Sequence, residues 1–246
     1  MDLSIVIPAY NEEGRIGSTI DSILGYLKNH LTKIKKWEII VVDDGSTDRT
    51  IAVVIDKKRK ASGVGKGIIR LIRNSTNRGK GYAVRTGIMS ARYQLTLFSD
   101  ADMATPIDEL DKFLTYISDF DIVIASRYLK RDQSRVNQSW YRHVLGEAFN
   151  LAVRTAIGLE FRDCMCGFKL FKTGIAKKIF RMQKIERFCF DVELLFLAKK
   201  LNFQVKEVPV AWVNKRGGKI SLIRDPMNMF LDMIRVKLNS LKGKYD

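Results

Sequence analysis

Asp100 and Asp102, separated by one residue, follow directly on the apolar run 94–98 and its Ser99. A buried strand ending this way delivers two carboxylates to one small volume, where they repel unless a cation lies between them. Mg2+ and Mn2+ take oxygen ligands and share their coordination sphere with substrate phosphates, so the pair reads as a metal–phosphate site. A second acidic pair, Asp43 and Asp44, closes the run 38–42. Asn77-Arg-Gly-Lys-Gly81 opens a helical segment. Its glycines let the backbone approach a ligand, and a helix N-terminus favours anions. No G-x-x-x-x-G-K-[ST] is present, and no G-x-G-x-x-G follows the first strand. A P-loop and a dinucleotide-dehydrogenase fingerprint are thereby excluded.

The elements that must position these groups alternate. Residues 3–7, 38–42, 68–72, 94–98 and 121–125 read as strands, and all but the last are near-continuous apolar runs, as in a sheet covered on both faces. Segments 14–31, 48–59, 79–92 and 106–118 between them read as helices, with Asp48 and Thr105 placed to cap the second and fourth and Pro106 at a first helical position. This order predicts an α/β fold built on a mostly parallel sheet. Ligands in such sheets sit beyond the carboxyl ends of the strands. Pro8-Ala-Tyr-Asn-Glu12, Asp43–Asp48, Asn77–Gly81, Asp100–Asp102 and Ser126-Arg-Tyr128 all fall there. Further on, 141–157, 190–201 and 224–241 read as helices, 163–171 as a turn and strand, and 203–213 as a strand.

The chain has 246 residues, 46% apolar and 28% charged, a globular balance. Its 43 Lys and Arg against 27 Asp and Glu leave a net charge of +16. Such a surface seeks anions: nucleic acid, anionic lipid or phosphorylated ligands. Cys164, Cys166 and Cys189 fit neither a disulfide scaffold nor a zinc pattern, and His30 and His143 are too few for a histidine metal site. A reducing compartment is expected. Met1 runs straight into the first strand without a basic start, so no signal peptide is expected, and no stretch reads as a bilayer span.

Together, Pro8–Glu12, Val41-Val-Asp-Asp-Gly-Ser46, Asn77–Gly81 and Asp100–Asp102 resemble the family 2 glycosyltransferases, which have a GT-A fold. Ser126-Arg-Tyr128, Asp163-Cys-Met-Cys-Gly-Phe-Lys-Leu-Phe171 and Arg187-Phe-Cys-Phe-Asp-Val-Glu-Leu-Leu195 resemble the branch acting on dolichyl or other polyprenyl phosphates. The resemblance implies a single GT-A domain over 1–222, Rossmann-like, with an amphipathic helix at 223–246 that could lie on a membrane. It implies that Pro8, Ala9, Tyr10 and Glu12 line a nucleoside pocket and that Asp43 binds base or ribose. Asp44 and Lys80 belong near the nucleotide, and Asp100, Ala101 and Asp102 form the D-x-D that holds Mg2+ or Mn2+. Arg127 is expected to contact phosphate, and Arg216 and Lys219 to sit in a basic loop that closes over donor or acceptor. Asp191 is read two ways, as the family's base or as an acid favoured by a helix N-terminus.

Asp100-Ala-Asp-Met-Ala104 lacks the Gln usual in the mannosyltransferases of this branch, which favours UDP-glucose over GDP-mannose as donor. The expected reaction is inverting transfer of a hexose from a nucleotide sugar to a polyprenyl phosphate. A family relative with a hydroxyl acceptor and a non-catalytic basic adaptor are the competing readings. Helices 141–157, with Trp140, Tyr141 and Phe149 nearby, and 224–241 are candidates for contact with an anionic membrane, the latter also for a dimer seam. The expected setting is peripheral, at the cytoplasmic face of a membrane, as a homodimer or with an anchoring partner. Nucleic acid drops out as a partner, because an acidic cleft does not serve a polyanion.

Overall fold

In a computed structural model of the protein, residues 1–61, 66–129, 147, 151, 153–213 and 224–245 are described, with backbone alone at 66 and 224–227. Strands β1 (Asp2–Ala9), β2 (Lys36–Asp43), β3 (Lys66–Arg73), β4 (Leu95–Ser99), β5 (Ile122–Ser126), β6 (Phe168–Lys172) and β7 (Val205–Pro209) form one sheet in the order β3-β2-β1-β4-β6-β5-β7. Successive side chains of a strand point to opposite faces, so its apolar runs feed two cores. Ile5, Ile7, Ile39, Val41 and Leu97 pack under α1 (Ile16–Asn29), α2 (Thr50–Lys60) and α4 (Leu110–Tyr116). Val6, Ile40, Val42 and Phe98 pack under α3 (Lys80–Ser90), α5 (Thr173–Met182), α6 (Phe190–Lys200) and α7 (Arg224–Leu241).

The sheet is mostly parallel, as expected, with one reversal. β6 runs antiparallel to both β4 and β5. The chain leaves β5 and enters β6 at the same edge, so β6 must run backwards. Its first residue therefore pairs with the last of β4, Phe168 opposite Ser99. This reversal sets the 163–167 turn against the D-x-D.

Several boundaries differ from expectation. α5 was not anticipated, although Ala176, Ile179 and Phe180 bury one face of it. The last strand is confined to Val205–Pro209. Pro106 does not begin a helix. It is the extended residue before a 3-10 turn, Ile107–Glu109, that leads into α4, and Thr105 makes no cap bond. Arg49, not Asp48, is the N-cap of α2, but Asp48 one residue earlier accepts the N–H of Thr50, the first residue of the helix, at 2.9 Å through its Oδ1. Of segment 141–157, residues 153–157 are helical, while Trp140, Tyr141, His143 and Phe149 lie outside the described residues. α7 joins the second core through Met233 and Val236, and Tyr245 beyond it is buried. No described helix is long and apolar enough to cross a membrane.

Candidate active site

β1 is flanked by β2 on one side and β4 on the other, so the crossovers diverge between β1 and β4. Open α/β sheets form their crevice at such a switch point. A cavity of about 370 Å³ opens there. Pro8, Ala9, Tyr10 and Glu12 line it from the end of β1, Asp44 from β2, Lys80 from α3, and Asp100, Ala101 and Asp102 from β4. Nine of the residues singled out in the sequence are thus brought to one place.

Their electrostatics are specific. Lys80 Nζ lies 2.7 Å from Asp100 Oδ1. Burial pulls the Lys80 ammonium down, but Asp100, Asp191 and Asp102 outweigh it and hold its pKa above the usual lysine range. Burial and the neighbouring Asp100 charge push the Asp102 carboxyl up, against a hydrogen bond from the Ala104 N–H at 3.0 Å. Met103, at φ 49°, turns the chain so that this bond can form. Gly167 is wedged under the D-x-D: its carbonyl accepts from Asp100 N–H at 3.1 Å, and a Cβ there would stand 2.0 Å from Asp100 Oδ2. Two crowded carboxylates, one already drawing an ammonium and the other resisting ionisation, are a donor set that fits a divalent cation.

The acidic pair on β2 divides its work. Asp44 accepts N–H bonds from Arg78 at 3.2 Å and Gly79 at 2.7 Å, and one from the Asn74 side chain at 2.8 Å. Both N–H groups precede Lys80, the first residue of α3, so Asp44 fixes the turn that enters the helix. Asp43 lines a separate recess with Ser46, Thr47, Arg73 and Asn74. Its Oδ2 accepts the Ser46 N–H at 3.3 Å, while the buried Oδ1 has no donor among the described residues.

Arg127 and Asp191 do not line the cavity. Arg127 donates Nε to Asp163 Oδ2 at 2.7 Å and Nη2 to Oδ1 at 2.9 Å, a bidentate pair with a fully buried acid. Burial opposes the Arg127 charge, but Asp163 outweighs it and raises its pKa further. Asp191 is buried and bonded to Lys169. Burial pushes its carboxyl up, and Lys169 opposes the shift. Arg216 and Lys219 lie outside the described residues. The segment leading to them is anchored beside the D-x-D, where Val213 N–H donates to Ala104 O at 2.9 Å.

Arg15, Arg187 and Phe188 also line the cavity and were given no role from the sequence. Arg15 forks onto Glu12 at 2.6 and 2.8 Å, a pairing legible as an i, i+3 contact at the start of α1. Arg187 and Phe188 sit on an irregular link between α5 and α6, and no local pattern announces them.

The family model described as "Glycosyl transferase family 2" matches residues 4–180, which carry both acidic pairs and all the cavity's lining residues except Arg187 and Phe188. The chain belongs to that family. It is an enzyme of the glycosyltransferase class. It is 36% identical over 254 residues to the dolichyl-phosphate beta-glucosyltransferase of Drosophila melanogaster, covering 100% of this chain and 77% of that protein. The protein of that name from Homo sapiens is 34% identical over 252 residues, covering 99% and 77%. Among solved structures, mannosyl-3-phosphoglycerate synthase from Rubrobacter xylanophilus superposes with a TM-score of 0.69 at 17% identity, over 99% of this chain and 75% of that one. Glucosyl-3-phosphoglycerate synthase from Mycobacterium tuberculosis, solved with Mn2+, UDP and glucosyl-3-phosphoglycerate, gives 0.66 at 18% identity, over 97% and 79%. The fold is the GT-A fold.

Proposed function

We propose that this glycosyltransferase moves glucose from UDP-glucose to dolichyl phosphate, or a similar polyprenyl phosphate, with inversion, at the cytoplasmic face of a membrane. The observation that carries the reading is the similarity, along nearly all of this chain, to dolichyl-phosphate beta-glucosyltransferases, joined to a cavity that holds the D-x-D.

The residues divide the work as follows. Pro8, Ala9 and Tyr10 give the nucleoside a largely apolar wall. The orphaned Asp43 Oδ1 suits a base or ribose donor. Asp100 and Asp102 would hold Mg2+ or Mn2+, which when bound neutralises the leaving diphosphate. Lys80 and Arg187 add fixed positive charge along the same wall. Arg216 and Lys219 are assigned to the acceptor phosphate.

The acceptor accounts for the treatment of Asp191. A phosphate monoester carries about −1.5 to −2 charge near neutral pH, so it attacks the anomeric carbon without a general base. The burden falls on positioning and charge. Asp191, locked onto Lys169, holds a turn rather than moving a proton. Arg127 spends Nε and one Nη2 proton on Asp163 and so braces the turn after β5.

The test is incubation with a panel of UDP- and GDP-sugars and a polyprenyl phosphate in Mg2+ or Mn2+, following which sugar enters the lipid phase. Glucose arriving from UDP-glucose is the expected result. Transfer from GDP-mannose alone overturns the donor. Transfer only to hydroxyl acceptors overturns the acceptor and restores Asp191 as the candidate base.

A further inference from the structure

Two lysines of the fold meet carboxylates in opposite ways. Lys169 is sealed from solvent and spends its ammonium on Asp191 and on the carbonyls of Cys164 and Cys166. Lys80, the first residue of α3, gives its ammonium one polar contact among the described residues, Asp100 Oδ1 at 2.7 Å. Its side chain is 24% exposed and that of Asp100 is 32% exposed. An ion pair so open to water adds little to stability. An ammonium has three protons to donate, so most of the donor capacity of Lys80 is unspent.

The two partners differ in their freedom to move. Asp100 is walled in: its N–H donates to Gly167 O at 3.1 Å, and Gly167 leaves no room for even a methyl beside Oδ2. The backbone around Lys80 is equally fixed. Asp44 accepts the N–H groups of Arg78 and Gly79 just before it, at 3.2 and 2.7 Å. Tyr82 N–H, just after it, donates to Glu186 O at 2.9 Å. The part left free is the four-carbon arm of Lys80, whose ammonium lies 5.3 Å from the Phe98 ring centroid. A cation approaching Asp100 therefore meets an ammonium already there, and the ammonium is what gives way. Its anchored arm keeps it within the cavity, where a diphosphate can take the place of the lost carboxylate.

We propose that Lys80 is an exchangeable counter-ion of the D-x-D. Its ammonium holds Asp100 until a nucleoside diphosphate binds, then passes to the diphosphate and releases the carboxylate to the divalent cation. Entry of the two ligands is thereby coupled, and each raises the affinity for the other by the same factor. The inference rests on the nucleotide-sugar reading of the cavity and adds to it the residue that ties nucleotide to cation.

Mn2+ binding to the full chain is followed by electron paramagnetic resonance, with and without saturating UDP. The wild type is expected to bind bare Mn2+ weakly and to bind it at least tenfold more tightly with UDP, a change of about tenfold lying within the usual range of coupling. Lys80→Met keeps an unbranched stem over Phe98 and removes the charge. It is expected to bind bare Mn2+ about tenfold more tightly than the wild type, with UDP then adding less than about threefold. Lys80→Arg, which keeps the charge, is expected to restore weak binding of bare Mn2+. Arg187→Gln removes a cavity cation that pairs with neither acid, and is expected to leave bare Mn2+ affinity within about twofold of the wild type. Unchanged bare Mn2+ affinity in Lys80→Met overturns the proposal. So does an equal gain with and without UDP, the mark of an ammonium that stays on Asp100. The same gain in Arg187→Gln, the mark of bulk charge, also overturns it. Absence of any Mn2+-dependent binding of UDP or GDP sinks the nucleotide-sugar reading and the exchange with it, whereas binding whose coupling survives Lys80→Met sinks the exchange alone.

Discussion

Lys169 Nζ lies 2.5 Å from Asp191 Oδ1, and neither side chain reaches solvent, at 0% and 1% exposure. The same ammonium donates to Cys164 O at 3.1 Å and Cys166 O at 2.7 Å. Its three protons are thereby used, and they bind the turn that carries Gly167 to α6. Because Gly167 supports Asp100, the buried pair lies one link beneath the D-x-D.

Asp191→Asn leaves the Lys169 charge buried with only neutral partners. Breaking one half of a buried pair costs about 3–5 kcal/mol. Urea unfolding is expected to show a loss of that size, with weaker Mn2+-dependent UDP binding as the turn loosens. A variant of wild-type stability that binds UDP normally yet does not turn over would instead make Asp191 a base.

Gly167→Ala tests the support directly. The new methyl would stand 2.0 Å from Asp100 Oδ2 and 2.4 Å from its Cγ, so the carboxylate must move. Calorimetric titration is expected to show Mn2+-dependent UDP affinity reduced at least tenfold, which is about 1.4 kcal/mol. Affinity equal to the wild type would mean that Asp100 has room to spare and does not need this floor.

Much of this arrangement is legible in the sequence. The strands at 3–7 and 38–42 are nearly continuous apolar runs because both faces of the sheet are covered, and the acids at 43 and 44 stand out against that background. Lys169 shows why the rest is not. One lysine inside Phe168–Lys172 breaks an apolar run, which signals a buried partner, but nothing local tells that the partner is Asp191 on another element. The same holds for Arg127 and Asp163: each looks available, and only the fold spends them on each other. Helix α5 carries apolar residues at 176, 179 and 180, but at ten residues it repeats that period too few times to stand out. Asp44 is a further case, since its acceptor role depends on the turn that enters a helix thirty-odd residues on.

The Arg127–Asp163 pair predicts an acid limb. Burial alone would raise the Asp163 carboxyl, but Arg127 and its hydrogen bonds outweigh burial and hold the carboxyl below its usual range. A depressed folded-state pKa stabilises the protein above the unfolded value of about 3.9, and that stability is lost as pH falls through the folded value. Asp163→Asn is expected to lower Tm at neutral pH and to flatten the fall of Tm below about pH 4. Parallel Tm–pH curves for variant and wild type would show that the pair contributes nothing in that window.

Tyr245 secures the other wall of the cavity. Its hydroxyl donates to Glu193 Oε1 at 2.5 Å, and the two Glu193 oxygens also accept the N–H groups of Lys184 and Ile185, each at 2.9 Å. Burial pushes the Glu193 carboxyl up, and these three donors oppose the shift. Tyr245→Phe keeps the ring against Phe196, whose centroid is 6.0 Å away, and removes only the donor. A hydrogen bond to a charged group is worth about 1.5–3 kcal/mol, and the loss should appear in urea unfolding. Two residues beyond Ile185 the chain reaches Arg187 and Phe188 at the cavity, so a looser Glu193 moves the donor's wall rather than its chemistry. The KM for UDP-glucose is expected to rise several-fold in Tyr245→Phe while kcat stays within about twofold, a pattern of lost uniform binding. A fall in kcat at constant KM would place Tyr245 in the chemical step, and unchanged stability together with unchanged KM would remove it from the site's support.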